Sequence, residues 1–261
     1  MKLLQEKKKK AVFRRIPDKT LWIHTDFLPD HHQGDFDIEK KYRYKNGWKR
    51  MLTDVETEQL YSKLIPPSIK ERLYPFQETG VKFALQRNGR ILLADEMGTG
   101  KTFQALAIMS AYQNEWPLLI VCPASLRLVW ALAVEQWLTF VRPNDVHIIY
   151  SQSDRIYHEN RRKRITVISY EMLYYLSTSM IEFMTWHCVI FDESHRFGTS
   201  RKSQETRYTN MGLELIRKAR RVLLLSGTPA LTKPFDMYHQ VSSLWPTLLG
   251  RNKFEFEIGR A

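Results

Sequence analysis

From Pro66 onward, short apolar runs alternate with stretches whose apolar residues recur every three or four positions. The runs are RILLAD (90–95), PLLIVCP (117–123), VHIIY (146–150), RITVISY (164–170), CVIFDE (188–193) and RVLLLSG (221–227). Each is short, rich in Val, Ile or Leu and closed by turn residues, the pattern of a strand covered on both faces. Between them, KTFQALAIMSAYQ and SLRLVWALAVEQWLTF carry their apolar residues at helical spacing. Such alternation predicts an α/β fold, a mostly parallel sheet with right-handed crossovers and helices on both faces. Ligands of such sheets bind beyond the carboxyl ends of the strands.

The first 65 residues break this rhythm and read as an accessory, partly flexible segment ahead of a domain over 66–247, with 248–261 opening a connection onward. The Lys7–Lys10 run serves equally as a nuclear import signal, a DNA-contacting arm or a solvated charge run. DHHQGDFD has no recognised metal-ligand spacing and reads as a polar loop. In KKYRYKNGWKR, basic residues interleave with Tyr42, Tyr44 and Trp48, which suits base stacking and phosphate contact; an exposed hairpin around Asn46-Gly47 explains it as well.

Composition narrows the class. A chain of 261 residues with 43% hydrophobic content can bury a substantial core. It contains no apolar run of about 18 residues, and MKLLQEKKKK has no apolar stretch after its charges, so neither a membrane span nor a secretory signal is expected. Cys122 and Cys188 sit inside apolar stretches and read as small buried hydrophobes. A net charge of +12 favours a polyanionic partner, with nucleic acid foremost.

The chemistry concentrates at the ends of the predicted strands. In LADEMGTGKT a glycine-rich turn lies between a strand and a helix, the context a phosphate loop requires. Gly98 and Gly100 let backbone N–H groups turn inward, Lys101 reaches the β- and γ-phosphates, and the Thr102 hydroxyl suits magnesium. The strict spacing of that motif fails at its first position, Asp95. CVIFDESH then supplies two carboxylates at a strand end: Asp192 to hold magnesium and Glu193 to orient and deprotonate a water. His195 follows them, and LLLSGTP places Ser226 and Thr228 at the same sheet edge, within reach of it.

LYPFQETGVKFAL, DEMGTGKT, CPASLRLVW, ISYEML, DESH and LSGTPA stand in the order of the motifs of superfamily-two helicases. The set resembles the SWI/SNF-type DNA translocases with a RecA-like P-loop domain. It is similar above all to the fork-remodelling annealing-helicase branch of the HepA-related and zinc-finger Ran-binding-domain proteins. The resemblance covers roughly residues 66–247. It implies a nuclear DNA-dependent ATPase that uses ATP and magnesium and remodels or anneals branched DNA at replication forks, with replication or repair proteins as further partners. Residue by residue, it implies that Gln77 reads the adenine, its amide matching a donor–acceptor edge. Asp95, Glu96, Met97, Gly98, Thr99, Gly100, Lys101 and Thr102 would bind the phosphates. His195 with Ser226, Gly227 and Thr228 would couple hydrolysis to DNA movement. Pro123, Ser125 and Arg127 occupy the stretch that meets the DNA backbone, where contacts position without reading sequence.

The sequence departs from that pattern at Thr99, where the family has Leu, and at Gly198, where Lys or Asn is common. RRKR at 161–164 reads as a DNA-facing loop or a solvated one. In the family a second RecA-like lobe closes on the nucleotide and supplies arginines. This chain ends at Ala261, so the resemblance implies a first lobe needing that partner in cis or in trans. Loss of a transition-state arginine costs about 10³–10⁵ in rate, so slow hydrolysis is expected of the lobe alone. The rival readings are a chromatin-remodelling ATPase lobe and a non-hydrolysing nucleotide- or DNA-binding module.

Overall fold

The computed structural model describes residues 13–15, 21–23, 52–154, 164–175, 185–198, 207–229, 234–246, 248–249 and 253. Two short strands, β1 (Phe13–Arg15) and β2 (Leu21–Ile23), pair antiparallel. The main sheet holds β3 (Arg90–Leu93), β4 (Leu118–Cys122), β5 (Val146–Ile148), β6 (Ile165–Ser169), β7 (Cys188–Asp192) and β8 (Arg221–Leu225). Its order is β3-β8-β7-β4-β6-β5, and every neighbouring pair is parallel. All six apolar runs of the sequence thus become strands of one sheet, as expected of an α/β chain with a RecA-like fold.

Alternation along each strand explains why both faces need covering. Ile91, Leu93, Leu118, Ile120, Cys122, Ile190 and Leu223 belong to one buried cluster. It is completed by α1 (Asp54–Leu64), the single turn α2 (Pro67–Lys70), α3 (Pro75–Gln86), α4 (Lys101–Ser110) and α5 (Arg127–Trp137). The intervening residues Leu92, Leu119, Val121, Val189, Phe191 and Leu224 join a second cluster. There they meet α6 (Tyr170–Tyr175), α7 (Arg207–Lys218) and α8 (Tyr238–Leu244), with Leu248 and Leu249 packed against them. Both cysteines are fully buried, and burial pushes each thiol up to about 12, in keeping with a packing role.

The end of the expected accessory segment is helical and docks on the domain. Residues 52–65 pack one face onto the domain: Thr57, Tyr61 and Ile65 are buried, and the Leu52 N–H donates to the Gln86 carbonyl at 3.0 Å. The signal was readable in Thr53-Asp54-Val55-Glu56, a capping box in which the Glu56 N–H donates to Thr53 Oγ1 and the Thr53 N–H to Glu56 Oε2. Lys82 bridges Glu58 and Glu78 at 2.7 and 2.8 Å, tying α1 to α3. The Lys7–Lys10 run, DHHQGDFD and KKYRYKNGWKR lie outside the described residues. Among the described residues no helix is long and apolar enough to cross a membrane.

Strand order decides what lies next to what. β7 and β8 slot between β3 and β4, so four consecutive strands in space send their carboxyl-terminal loops to one edge of the sheet. These loops are DEMGTGKT after β3, SGTP after β8, DESH after β7 and CPASLR after β4.

Candidate active site

The turn after β3 has the backbone that its glycines permit. Gly98 and Gly100 lie at φ +83° and +79°, the left-handed region, and Gly100 is the residue from which α4 starts. A Cβ on Gly100 would also stand 2.6 Å from Gln77 Nε2. Gln77, 3% exposed, uses both ends of its amide: Nε2 donates to the Thr99 carbonyl at 2.8 Å, and Oε1 accepts the Tyr74 N–H at 3.1 Å. The residue expected to read adenine is thus tied to the tip of the loop. Thr99, the departure from the family's Leu, donates its hydroxyl to the Glu96 carbonyl at 2.8 Å and closes the turn on itself. Met97 stands 79% exposed at the rim.

Lys101 Nζ donates to the carbonyls of Asp95 and Glu96, 2.9 Å each. Burial pulls its pKa below the ordinary lysine value, while the carboxylates of Asp95, Glu193 and Asp192 push the other way. The ammonium therefore lies in the field of all three. Asp95, 1% exposed, accepts from Gln104 Nε2 at 2.9 Å through Oδ2. Its Oδ1 and Gln104 Oε1 are buried without a hydrogen-bond partner. Burial raises the Asp95 pKa, while the Gln104 hydrogen bond and the Lys101 ammonium oppose that shift.

Asp192 ends β7 half-buried. Its Oδ1 accepts the Glu193 N–H at 2.9 Å, its Oδ2 accepts the indole N–H of Trp130 at 2.8 Å, and its carbonyl accepts the Tyr170 hydroxyl at 2.7 Å. Burial raises its pKa, with the Trp130 hydrogen bond opposing. Glu193 sits at φ +52°, unusual for a residue with a Cβ. Such backbone costs about 1–3 kcal/mol and is concentrated at working sites.

The expected link to the next loop is present. His195 Nδ1 is 3.1 Å from Ser226 Oγ and 3.2 Å from Glu193 Oε2. Thr228 contributes differently, its backbone N–H donating to Ser226 Oγ at 3.2 Å. Gly227 packs against the phosphate loop, where a Cβ would come within 2.8 Å of Met97 Cγ and 3.7 Å of Lys101 Nζ. The Ser226 N–H donates to the Leu93 carbonyl at 3.1 Å, joining the ends of β8 and β3.

Arg127 is drawn inward. It donates to the carbonyls of Ala124, Ile149 and Tyr150 and lies 4.9 Å over the Tyr150 ring, clasping the turn after β4 to the end of β5. Pro123 is half-buried and Ser125 is exposed in that turn. Arg164 packs over Trp116 and Phe140, and the rest of RRKR lies outside the described residues. Gly198 follows the DESH turn, its N–H donating to the His195 carbonyl.

Three partners escaped sequence reasoning. Trp130 was read only as part of an apolar helix face. Gln104 is a polar residue in a helix whose residues 103–110 are all buried, a pattern that demands an internal acceptor. Gln240, 0% exposed, accepts from Ser194 Oγ and donates through Nε2 to the Pro229 carbonyl, both at 2.8 Å, stapling the DESH turn to the SGTP loop.

Comparison with known proteins gives one family. A family model described as the SNF2-related domain matches residues 76–259. The DNA annealing helicase and endonuclease ZRANB3 of Homo sapiens is 38% identical over 190 residues, covering 72% of this chain and 17% of that protein. The SWI/SNF-related matrix-associated actin-dependent regulator of chromatin subfamily A-like protein 1 of Xenopus tropicalis is 38% identical over 200 residues, covering 77% of this chain and 20% of that one. The chain thus spans about a fifth of the length of these relatives. Among solved structures, the Sulfolobus solfataricus SWI2/SNF2 ATPase core in complex with dsDNA superposes with a TM-score of 0.62 at 28% identity, over 75% of this chain and 40% of that one. The UvsW helicase of bacteriophage T4 shares the fold, with a TM-score of 0.55 at 16% identity over 81% and 76% of the two chains.

Proposed function

The chain belongs to the SNF2-related domain family, and from that premise we propose that it is the ATP-binding lobe of a DNA-dependent ATPase that moves on duplex or branched DNA and remodels or anneals forks. The observation that carries the reading is the convergence of the phosphate loop, the DESH turn and the SGTP loop at one sheet edge, with the Lys101 ammonium in the field of Asp192 and Glu193. The relatives' printed words, a DNA annealing helicase and an ATPase core in complex with dsDNA, support DNA as the partner. A nuclear location accords with the printed name of the relative that is a regulator of chromatin.

In this reading the loop N–H groups at residues 96–102 and the start of α4 cradle the triphosphate of ATP, while Lys101 trades its carbonyl partners for phosphate oxygens. Gln77 receives the adenine and, being bonded to Thr99, passes its arrival to the loop. The Asp192 carboxylate and Thr102 hydroxyl form a hard oxygen donor set that fits magnesium, which when bound supplies charge neutralisation at the phosphates. Glu193 orients the attacking water and takes its proton. His195, between Glu193 and Ser226, reports the state of that carboxylate to the SGTP loop. Pro123 and Ser125 face the DNA backbone while Arg127 holds their turn in shape. A second RecA-like lobe, in cis or in trans, adds the arginines that stabilise charge on the transferred phosphoryl group.

The test is binding of a fluorescent ATP analogue and ATP hydrolysis, with and without forked DNA, by this chain and by Lys101→Ala. We expect nucleotide binding that Lys101→Ala removes, and any turnover to rise with forked DNA and vanish in that variant. Binding indifferent to Lys101→Ala would overturn the assignment. A nucleosome substrate is the second reading, because a relative whose printed name is a regulator of chromatin matches at the same 38%. It predicts stimulation by nucleosomes above that by forked DNA.

A further inference from the structure

Both oxygens of the Asp192 carboxylate have protein donors: the Glu193 N–H on Oδ1 and the Trp130 indole on Oδ2. The first is local and would form in any such turn. The second reaches across from α5, a separate element 62 positions away in sequence. Trp130 is 1% exposed and belongs to the packed cluster beneath the sheet, a place that any large apolar side chain could fill. An indole differs from the others in carrying one N–H donor and no acceptor, and a buried one must find a partner. Here the partner is the carboxylate that faces the phosphate loop.

We propose that Trp130 is a positioning residue for the magnesium-binding carboxylate, its indole N–H holding Oδ2 of Asp192 so that the remaining lone pairs face the nucleotide. The inference rests on the reading of Asp192 as a metal-binding group. A carboxylate held at both oxygens keeps a fixed plane, so little ordering remains to be done when the cation arrives. Outer partners that orient a metal-binding group in this way are typically worth about 10–100-fold in metal affinity. Tyr170, gripping the Asp192 carbonyl, fixes the backbone from the other face of the sheet. Trp130 therefore sets the side-chain plane while Tyr170 sets the strand end.

The experiment uses Trp130→Phe in the 261-residue chain, which keeps an aromatic ring and removes the donor. Binding of a fluorescent ATP analogue is titrated with magnesium and repeated in EDTA. The magnesium midpoint is expected to rise about 10–100-fold, with binding in EDTA unchanged. In an Asp192→Asn background, Trp130→Phe is expected to add nothing further. A midpoint that stays put in Trp130→Phe but moves in Asp192→Asn overturns the role of Trp130 and leaves the metal reading standing. A midpoint unmoved by Asp192→Asn overturns the metal reading, and this inference with it. If Trp130→Phe does not fold, the indole N–H resonance of Trp130 in the unsubstituted protein is followed instead. It is expected to shift with magnesium and ADP but not with ADP in EDTA, and no difference between the two overturns the proposal.

Discussion

Gln240→Leu tests whether the two loops of the site are held together by one buried amide. Gln240 is fully buried and has two 2.8 Å hydrogen bonds, one from the Ser194 hydroxyl and one to the Pro229 carbonyl. Leucine fills a similar volume and satisfies neither. The Ser194 hydroxyl, itself 0% exposed, would lose its acceptor at a cost of about 1–3 kcal/mol. Pro229 is half-buried, so water reaches its carbonyl and the lower end of that range applies. The apolar side chain returns about 1–2 kcal/mol through burial, leaving a net loss of roughly 0–3 kcal/mol, centred near 1.5. With a urea slope of about 2 kcal/mol/M, the unfolding midpoint should fall by about 0.75 M and by no more than about 1.5 M. Adding Ser194→Ala removes the stranded hydroxyl, so the double variant should be more stable than the sum of the two single losses by about 1–2 kcal/mol. Additivity within about 0.5 kcal/mol would show that Ser194 and Gln240 do not act as a pair, and the staple between the DESH turn and the SGTP loop would have to be abandoned.

Glu193→Gln should leave ATP-analogue binding near its original level and abolish turnover; unchanged turnover would remove Glu193 from the role of base. Gly100→Ala forces a Cβ into the left-handed region and against Gln77 Nε2, so nucleotide binding should weaken by about tenfold or more, the equivalent of about 1–2 kcal/mol of backbone strain; an unchanged affinity would mean that the loop binds in another conformation. Burial, with Arg217 nearby, pushes His239 down to about 4 from 6.5. Below pH 6.5 the unfolded chain therefore takes a proton that the folded chain refuses, and stability falls toward pH 4, by about 2 kcal/mol between pH 7 and pH 5. The raised pKa values of Asp95 and Asp192 act with the opposite sign, so the decisive measurement is the difference between the chain and His239→Gln in urea midpoints at the two pH values. Parallel pH profiles would refute the assignment.

The strands were legible because a parallel sheet covered on both faces leaves a strong local signature: RILL, LLIVC, ITVIS, CVIFD and RVLLL need no partner to be identified as apolar runs. The loops that meet at the sheet edge were legible because their glycines and carboxylates stand directly after apolar runs, and a parallel sheet brings such strand ends together. The helix at 54–64 was missed although its capping box was written in the sequence, because a polar, aromatic-dotted surroundings masked its buried Tyr61. The resemblance sets Arg127 in the stretch that meets the DNA backbone, and it gives no sign that the carbonyls of Ile149 and Tyr150 lie close enough to bind its guanidinium. That outcome depends on where β5 ends in space, which one sequence does not state. Trp130 and Gln240 were hidden for the same reason, since their partners are 62 and 46 positions distant.

The strand order also governs when the site can exist during synthesis. β3, which carries the phosphate loop, pairs with β8 in a register of Arg90 to Val222. Its neighbour in the sheet is thus made roughly 130 residues after it, a delay of about ten seconds or more at typical elongation rates. β4, β5 and β6 can associate long before that, whereas β3 must wait as an unpaired apolar strand. The nucleotide cradle is therefore among the last parts of the nascent chain to take shape, and a ribosome stalled before Arg221 would present a sheet with no working phosphate loop and an open edge for chaperones to shield.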